Sequence, residues 1–229
     1  AGPARILMLT QEEPSAEEIP MATNGRKRVG ILIFPQVEVL DFCGPYEVFT
    51  VVRLAEERRR EEPSPFEVVL VAERADPVQA SGGLRVLPDR TFGDCPPLEI
   101  LVVPGGWGTR KEIDNGNLIR WIAARGKEAE TVTSACTGAM LLGKAGLLDG
   151  RRATTHWRSL GWMRDSFPAV TVEDGMHVVE DGNVVTSAGI SAGIDMALRV
   201  VLRCHGEAVA RATARHMEYP FPDDNRRRI

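Results

Sequence analysis

Residues 131–150 read TVTSACTGAMLLGKAGLLDG. A β-prone run from Thr131 to Ala135 stops at Cys136, and a helix-prone run begins at Thr137-Gly138. The cysteine therefore sits where a strand turns into a helix, and the small neighbours Ser134, Ala135 and Gly138 leave room for a tight turn. That position lies near the unsatisfied N–H groups and the positive end of a helix dipole. Both stabilise a thiolate, so a lowered thiol pKa is expected for Cys136. A strained turn of this kind also pushes the side chain into a site, as in the nucleophile elbow of hydrolases.

Outward from this stretch the chain alternates strands with helices. VGILIF (29–34), FEVVLVA (66–72) and LEILVVP (98–104) are continuous apolar runs, as buried parallel strands require. Helical spacing is read over 44–60, 117–130, 137–148 and 157–166, and over two segments, 190–206 and 206–219. VQASGGLRVLPD (78–89) reads as extended chain with a Gly-Gly turn, and MHVVEDGNVVTSAG (176–189) as a hairpin turning at Asp181-Gly182. Such alternation implies right-handed crossovers and an α/β fold: a doubly wound, mainly parallel sheet with helices on both faces. One domain is expected over 28–220, with an N-terminal extension over 1–27, in which AGPARILMLT could form a short strand, and a tail over 221–229.

Composition narrows the function. The 229 residues are 43% hydrophobic and 26% charged, with a formal net charge of −4. That balance gives no support for binding nucleic acid or an anionic membrane surface. No apolar run reaches the ~20 residues of a membrane span. The N-terminus lacks the pattern of a secretory signal, so a cytoplasmic location is expected. Cys43, Cys95, Cys136 and Cys204 are scattered without a CxxC pair, which suggests neither a disulfide framework nor a metal site.

In doubly wound sheets the site lies beyond the carboxyl ends of the strands. After VGILIF comes PQVEVLDFCGP, with Asp41 in a loop before a helix, where it either serves a site or caps the helix beginning near Pro45. After LEILVV comes PGGWG, whose Gly105 and Gly106 N–H groups, together with that of Thr137, are candidates to face charge developing on a substrate. His156, in ATTHW, is a candidate base or a structural histidine, and His177 is expected to be exposed. Trp107, Trp157 and Ile190 are expected to set the size of a pocket, with core packing the alternative for the tryptophans. Cys204, on an apolar helix face, reads as a small buried hydrophobe, as do Cys43 and Cys95.

At these residues the chain resembles the ThiJ/PfpI superfamily, of class I glutamine amidotransferase-like proteins. The matching stretches are GILIFPQVEVLDFCGPYEVF, PPLEILVVPGG, VTSACTGAMLLGKAGLLDGRRATTHW and DGNVVTSAGISAGIDMAL, in order from about 29 to 200. The resemblance is nearest to the isocyanide hydratase branch, in L-D-x-x-G-P after the first strand and C-T-G at the elbow. It implies a flavodoxin-like sandwich, a homodimer, and a reactive cysteine at Cys136. Asp41 falls at the acid placed against that cysteine, and Thr137 at the threonine that follows it. The peptidase branch has histidine where Thr137 stands, so peptidase activity is not expected.

The resemblance implies cofactor-free hydration of a small-molecule isocyanide to an N-formamide. Cys136 would attack the isocyanide carbon, Asp41 would move the proton, and Thr137 would orient water or the adduct. Gly105, Gly106, Trp107, His156 and Ile190 complete the expected substrate-facing set. Related domains head AraC-type regulators, so ligand sensing is a rival reading. The thirteen residues after His216 are too few for a DNA-binding domain. A stress or redox protein with an oxidisable Cys136 is another rival, and glyoxalase-like or general hydrolase chemistry a further one.

Overall fold

The computed structural model describes residues 25–228; the strand suggested for AGPARILMLT lies outside them. Seven strands form the main sheet: β1 (Lys27–Leu32), β2 (Phe66–Ala72), β5 (Arg90–Thr91), β6 (Ile100–Val103), β7 (Thr131–Ser134), β10 (Val178–Asp181) and β11 (Val184–Ser187). Two-residue strands β3 (Val78–Gln79) with β4 (Arg85–Val86), and β8 (Arg152–Ala153) with β9 (Thr171–Val172), make small side pairs. The main order is β10-β11-β7-β6-β1-β2-β5, parallel except for the β10–β11 hairpin at one edge. β1 pairs β2 on one side and β6 on the other. The strand order thus reverses between β1 and β6, the switch point where open α/β sheets bind ligands.

β1, β2 and β6 form where the sequence is largely apolar without alternation, because both faces are covered. All four residues of β6 and of β7 are buried. The helices are α1 (Val39–Val51), α2 (Thr109–Glu112), α3 (Gly116–Glu128), α4 (Gly138–Lys144), α5 (Leu160–Ser166) and α6 (Ala192–His216). Asn115 caps α3, its Oδ1 accepting the N–H groups of Asn117 and Leu118. α6 is interrupted at Gly206, whose φ of 84° and ψ of 171° separate the two helical segments read from the sequence.

Several boundaries move. α1 begins at Val39 and ends at Val51, so the EERRR stretch is a 3-10 turn and coil rather than helix. Pro45 lies inside α1 rather than in its first turn, and Asp41 belongs to that first turn. The hairpin turn falls on Gly182-Asn183, one residue later than read, because Asp181 pairs with Val184. His177 is buried, contrary to the exposed position expected. It lies 3.0 Å from the Asp195 carboxylate in the first turn of α6, and that buried acid also takes the Tyr219 hydroxyl at 2.7 Å.

The β7–α4 turn requires its glycine. A Cβ on Gly138 would stand 2.0 Å from the Val103 carbonyl oxygen, a backbone atom at the end of β6. Gly138→Ala should therefore cost about 3 kcal/mol, or roughly 6–12 °C of Tm in a chain of this size. Gly161, within α5, has no heavy atom within 4 Å of such a Cβ. Gly161→Ala should be neutral or stabilising, by up to about 1 kcal/mol. Thermal melts of the two variants beside wild type check both signs.

Candidate active site

Three strand ends converge at the switch point. The loop after β1 leads into α1 with Asp41, the end of β6 carries Pro104-Gly105-Gly106, and the end of β7 carries Ala135-Cys136-Thr137. Cys136 has a φ of 54°, the left-handed region that disfavours any side chain. Its N–H donates to the Ala188 carbonyl at 3.1 Å, and its own carbonyl accepts the Thr155 hydroxyl at 2.8 Å. The strained residue is thereby anchored on both sides, as a persistent elbow needs.

Asp41 is fully buried. Its Oδ2 accepts the Gly105 N–H at 3.0 Å, and its Oδ1 has no hydrogen-bond partner among the described residues. It caps nothing: Glu38 holds the N-cap position of α1. Burial pushes the Asp41 carboxyl up to about 8, against the pull of the Gly105 N–H, with Glu38 adding to the rise. The Cys136 thiol is raised too, first by burial and then by the Asp41 carboxylate, while the Thr137 N–H and hydroxyl favour the thiolate. The lowered thiol pKa expected from the turn alone is therefore corrected. α4 has only seven residues and begins in a buried site, and desolvation beside a carboxylate outweighs its N–H groups.

Gly105 and Gly106 also differ from expectation. The Gly105 N–H is engaged by Asp41, and the Gly106 N–H donates to Thr137 Oγ1 at 3.0 Å. Neither stands free to meet charge on a substrate; they fix the acid and the threonine instead. Thr137 Oγ1 also lies 3.0 Å from Thr109 Oγ1 and 3.2 Å from the Gly106 carbonyl. The hydroxyl is thus held in the loop network beside the sulfur, and the Thr137 N–H is the elbow donor directed at Cys136.

His156 reaches the same place from the loop after β8. Gly189, which follows β11, marks the contact: a Cβ there would lie 2.1 Å from His156 Cδ2 and 3.2 Å from Cys136 Sγ. Only glycine lets the imidazole and the sulfur share that wall. His156 Nδ1 accepts the Arg158 N–H at 3.3 Å, which leaves the proton of the neutral ring on Nε2. Burial lowers the His156 pKa, and the charges of Arg158, Arg227 and Arg110 lower it further. The ring is therefore neutral, with its Nδ1 lone pair engaged by Arg158 and an N–H to donate at Nε2. Trp107 and Trp157 are surface residues, 70% and 47% exposed, stacked under the Arg110 and Arg158 guanidinium groups. Ile190, next to Gly189, is exposed at the rim.

Sequence reading did not single out Gly189, Thr155 or Ala188, because their roles are long-range contacts without a local pattern. Cys95 is buried, and Cys43 and Cys204 are partly buried, each raised by burial. No group of three or more metal-ligating side chains occurs among the described residues. No helix there is long and apolar enough to cross a membrane. A cavity of about 640 Å³ opens beyond β1 and β2, lined by Phe34, Glu73 and Asn115; it does not contain Cys136, Asp41 or His156.

The chain is 39% identical over 199 residues to isonitrile hydratase of Pseudomonas putida, covering 85% of this chain and 80% of that protein. It is 31% identical over 142 residues to the HTH-type transcriptional regulator GbdR of Pseudomonas aeruginosa, covering 62% of this chain and 38% of the regulator. The crystal structure of a ThiJ/PfpI family protein from Pseudomonas syringae superposes with a TM-score of 0.75 at 32% identity, over 92% of this chain and 86% of that one. The model of the DJ-1/PfpI family matches residues 27–203. With its flavodoxin-like α/β sheet and a cysteine at the elbow, the chain belongs to the DJ-1/PfpI family.

Proposed function

We propose that the protein hydrates a small isocyanide to the corresponding N-formamide, with Cys136 as nucleophile and Asp41 as proton carrier. The observation that supports this most strongly is the buried Asp41 carboxyl coupled to the elbow cysteine. A carboxyl with a pKa near 8 is mostly protonated at neutral pH, so it does not repel a thiolate. The 39% identity to isonitrile hydratase supports the same reaction class.

The steps balance. The reacting form is the one in which the thiol has lost its proton to solvent and Asp41 keeps its own. The Cys136 thiolate bonds to the isocyanide carbon as Asp41 delivers its proton to that carbon, giving a thioimidate and a carboxylate. The carboxylate then takes a proton from water, whose oxygen adds to the thioimidate carbon, and passes that proton to nitrogen. Collapse of the adduct returns the hydroxyl proton to Asp41, forms the formamide carbonyl and releases the thiolate. The Thr137 N–H stabilises the sulfur at each end of the cycle, and the neutral His156 ring orients polar groups beside it. No cofactor enters this scheme. Ligand sensing is the second reading, supported by the 31% identity to a transcriptional regulator.

Formamide production from a simple aryl or alkyl isocyanide tests the proposal. Wild type should turn over, Cys136→Ala should be inactive, and Asp41→Asn should lose at least about a hundredfold, as expected for a proton-transfer group. Saturable binding without turnover by wild type would favour sensing, and full activity of Asp41→Asn would remove the acid from the mechanism.

The raised Asp41 carboxyl also makes stability depend on pH. The folded state holds this proton more tightly than the unfolded chain, so its contribution is full below about pH 4 and is lost as pH rises through about 8. Asp41→Asn keeps the shape and removes the titration. The Tm of Asp41→Asn relative to wild type should climb by several degrees between pH 5 and pH 8.5. A constant difference across that range would show that the carboxyl is not raised.

A further inference from the structure

We propose that Arg227, in the C-terminal tail, is a positioning residue for the Cys136 site, acting through Thr154 and Thr155; this rests on Cys136 being the reacting group. The segment was read as a plain tail, yet its backbone runs along the chain leading into β10. The His177 N–H donates to the Asn225 carbonyl at 2.8 Å, and the Arg227 N–H to the Gly175 carbonyl at 2.9 Å. Asn225 adds two side-chain bonds to the Val178 backbone, at 3.0 and 2.8 Å. This pairing fixes where the Arg227 side chain starts.

The guanidinium is half-buried, and among the described residues it makes no ion pair within 4.0 Å. Its Nε donates to the Asp174 carbonyl at 2.6 Å, and one terminal nitrogen to Thr154 Oγ1 at 2.6 Å. Both terminal nitrogens also reach the Thr155 carbonyl, at 3.2 Å each. A planar fork that grips one carbonyl with two N–H groups fixes direction as well as distance. Desolvating an arginine to hold neutral oxygens is costly, and burial indeed lowers its pKa. What it holds is the segment that serves the site. The hydroxyl of Thr155 is one of the two anchors of the strained Cys136 backbone, at 2.8 Å from its carbonyl. The next residue, His156, packs against Gly189 beside the sulfur. From the tail to the elbow there are thus two links: Arg227 to the Thr155 carbonyl, and the Thr155 hydroxyl to the Cys136 carbonyl.

The experiment compares Arg227→Ala, Arg227→Lys, Thr155→Val and the neighbouring tail variant Arg226→Ala in the full chain. Arg226, beside it, makes only backbone contacts among the described residues: its N–H donates to the Asp224 carboxylate and its backbone pairs with Met176. Arg227→Ala should lower kcat for isocyanide hydration at least about tenfold with KM little changed, because misplacement of a reacting group acts on the chemical step. Lysine should recover little, since a point charge cannot reproduce the fork. Millimolar guanidinium chloride should restore part of the lost rate in Arg227→Ala, and sodium chloride at equal concentration should not. Thr155→Val, which cuts the second link and leaves the first, should fall in the same direction, and it carries the test if Arg227→Ala does not fold. The rate of Cys136 alkylation by iodoacetamide against pH reads the placement of the thiol without any isocyanide. A displaced profile in Arg227→Ala and Thr155→Val supports the proposal even if hydration itself is refuted. Turnover and alkylation within twofold of wild type in both variants, or an equal loss in Arg226→Ala, would overturn it.

Discussion

The hydrogen bond from the Gly105 N–H to the buried Asp41 carboxyl ties two strand ends together, and the third depends on it. Asp41 arrives from the segment after β1, Gly105 from the end of β6, and Cys136 from the end of β7. Without that bond the acid would have no fixed place beside the sulfur. With it, one oxygen of the carboxyl is satisfied and the other is left for the cysteine. The remaining local features fall in around this arrangement. Gly138 lets the elbow approach the end of β6, Thr137 locks onto Gly106, and Gly189 admits His156.

Electrostatics then decide which form of the pair can react. Burial opposes charge on both groups, so the site cannot hold a carboxylate and a thiolate together. The pair is better regarded as sharing one ionisation than as two independent residues. A proton on Asp41 removes the repulsion on the sulfur and is, in the proposed hydration, the proton delivered to carbon. Burial first, and then the charges of Arg158, Arg227 and Arg110, act on His156 in the same sense and keep the imidazole neutral. In the proposed reaction the proton therefore passes between a carboxyl and a thiol, with the histidine outside its path.

The fold was legible because buried parallel strands leave a clear record: VGILIF, FEVVLVA and LEILVVP are apolar runs, TVTSA is β-prone, and β1, β2, β6 and β7 lie on them. The elbow was legible from local geometry, since a strand that gives way to a helix within Ala135-Cys136-Thr137-Gly138 leaves room only for a tight turn. The start of α1 was not, because a proline looks like a first-turn residue while here it sits in the seventh position. The electrostatics of Cys136 were misjudged for a related reason: a helix N-terminus is visible in sequence, but the depth at which it is buried is not. His177 and the PFPDDNRRRI tail have no periodicity, and their partners Asp195, Thr154 and Thr155 are distant in the chain. Contacts of that kind become visible only once the sheet brings its ends together.

In the proposed mechanism Cys136 forms a bond to the isocyanide carbon while Asp41 manages the proton. Mass spectrometry of the protein, acid-quenched during turnover, tests it most directly. The expected result is a gain equal to the whole mass of the isocyanide, confined to the peptide that carries Cys136. Steady formamide production with no such adduct, and persisting in Cys136→Ala, would contradict it.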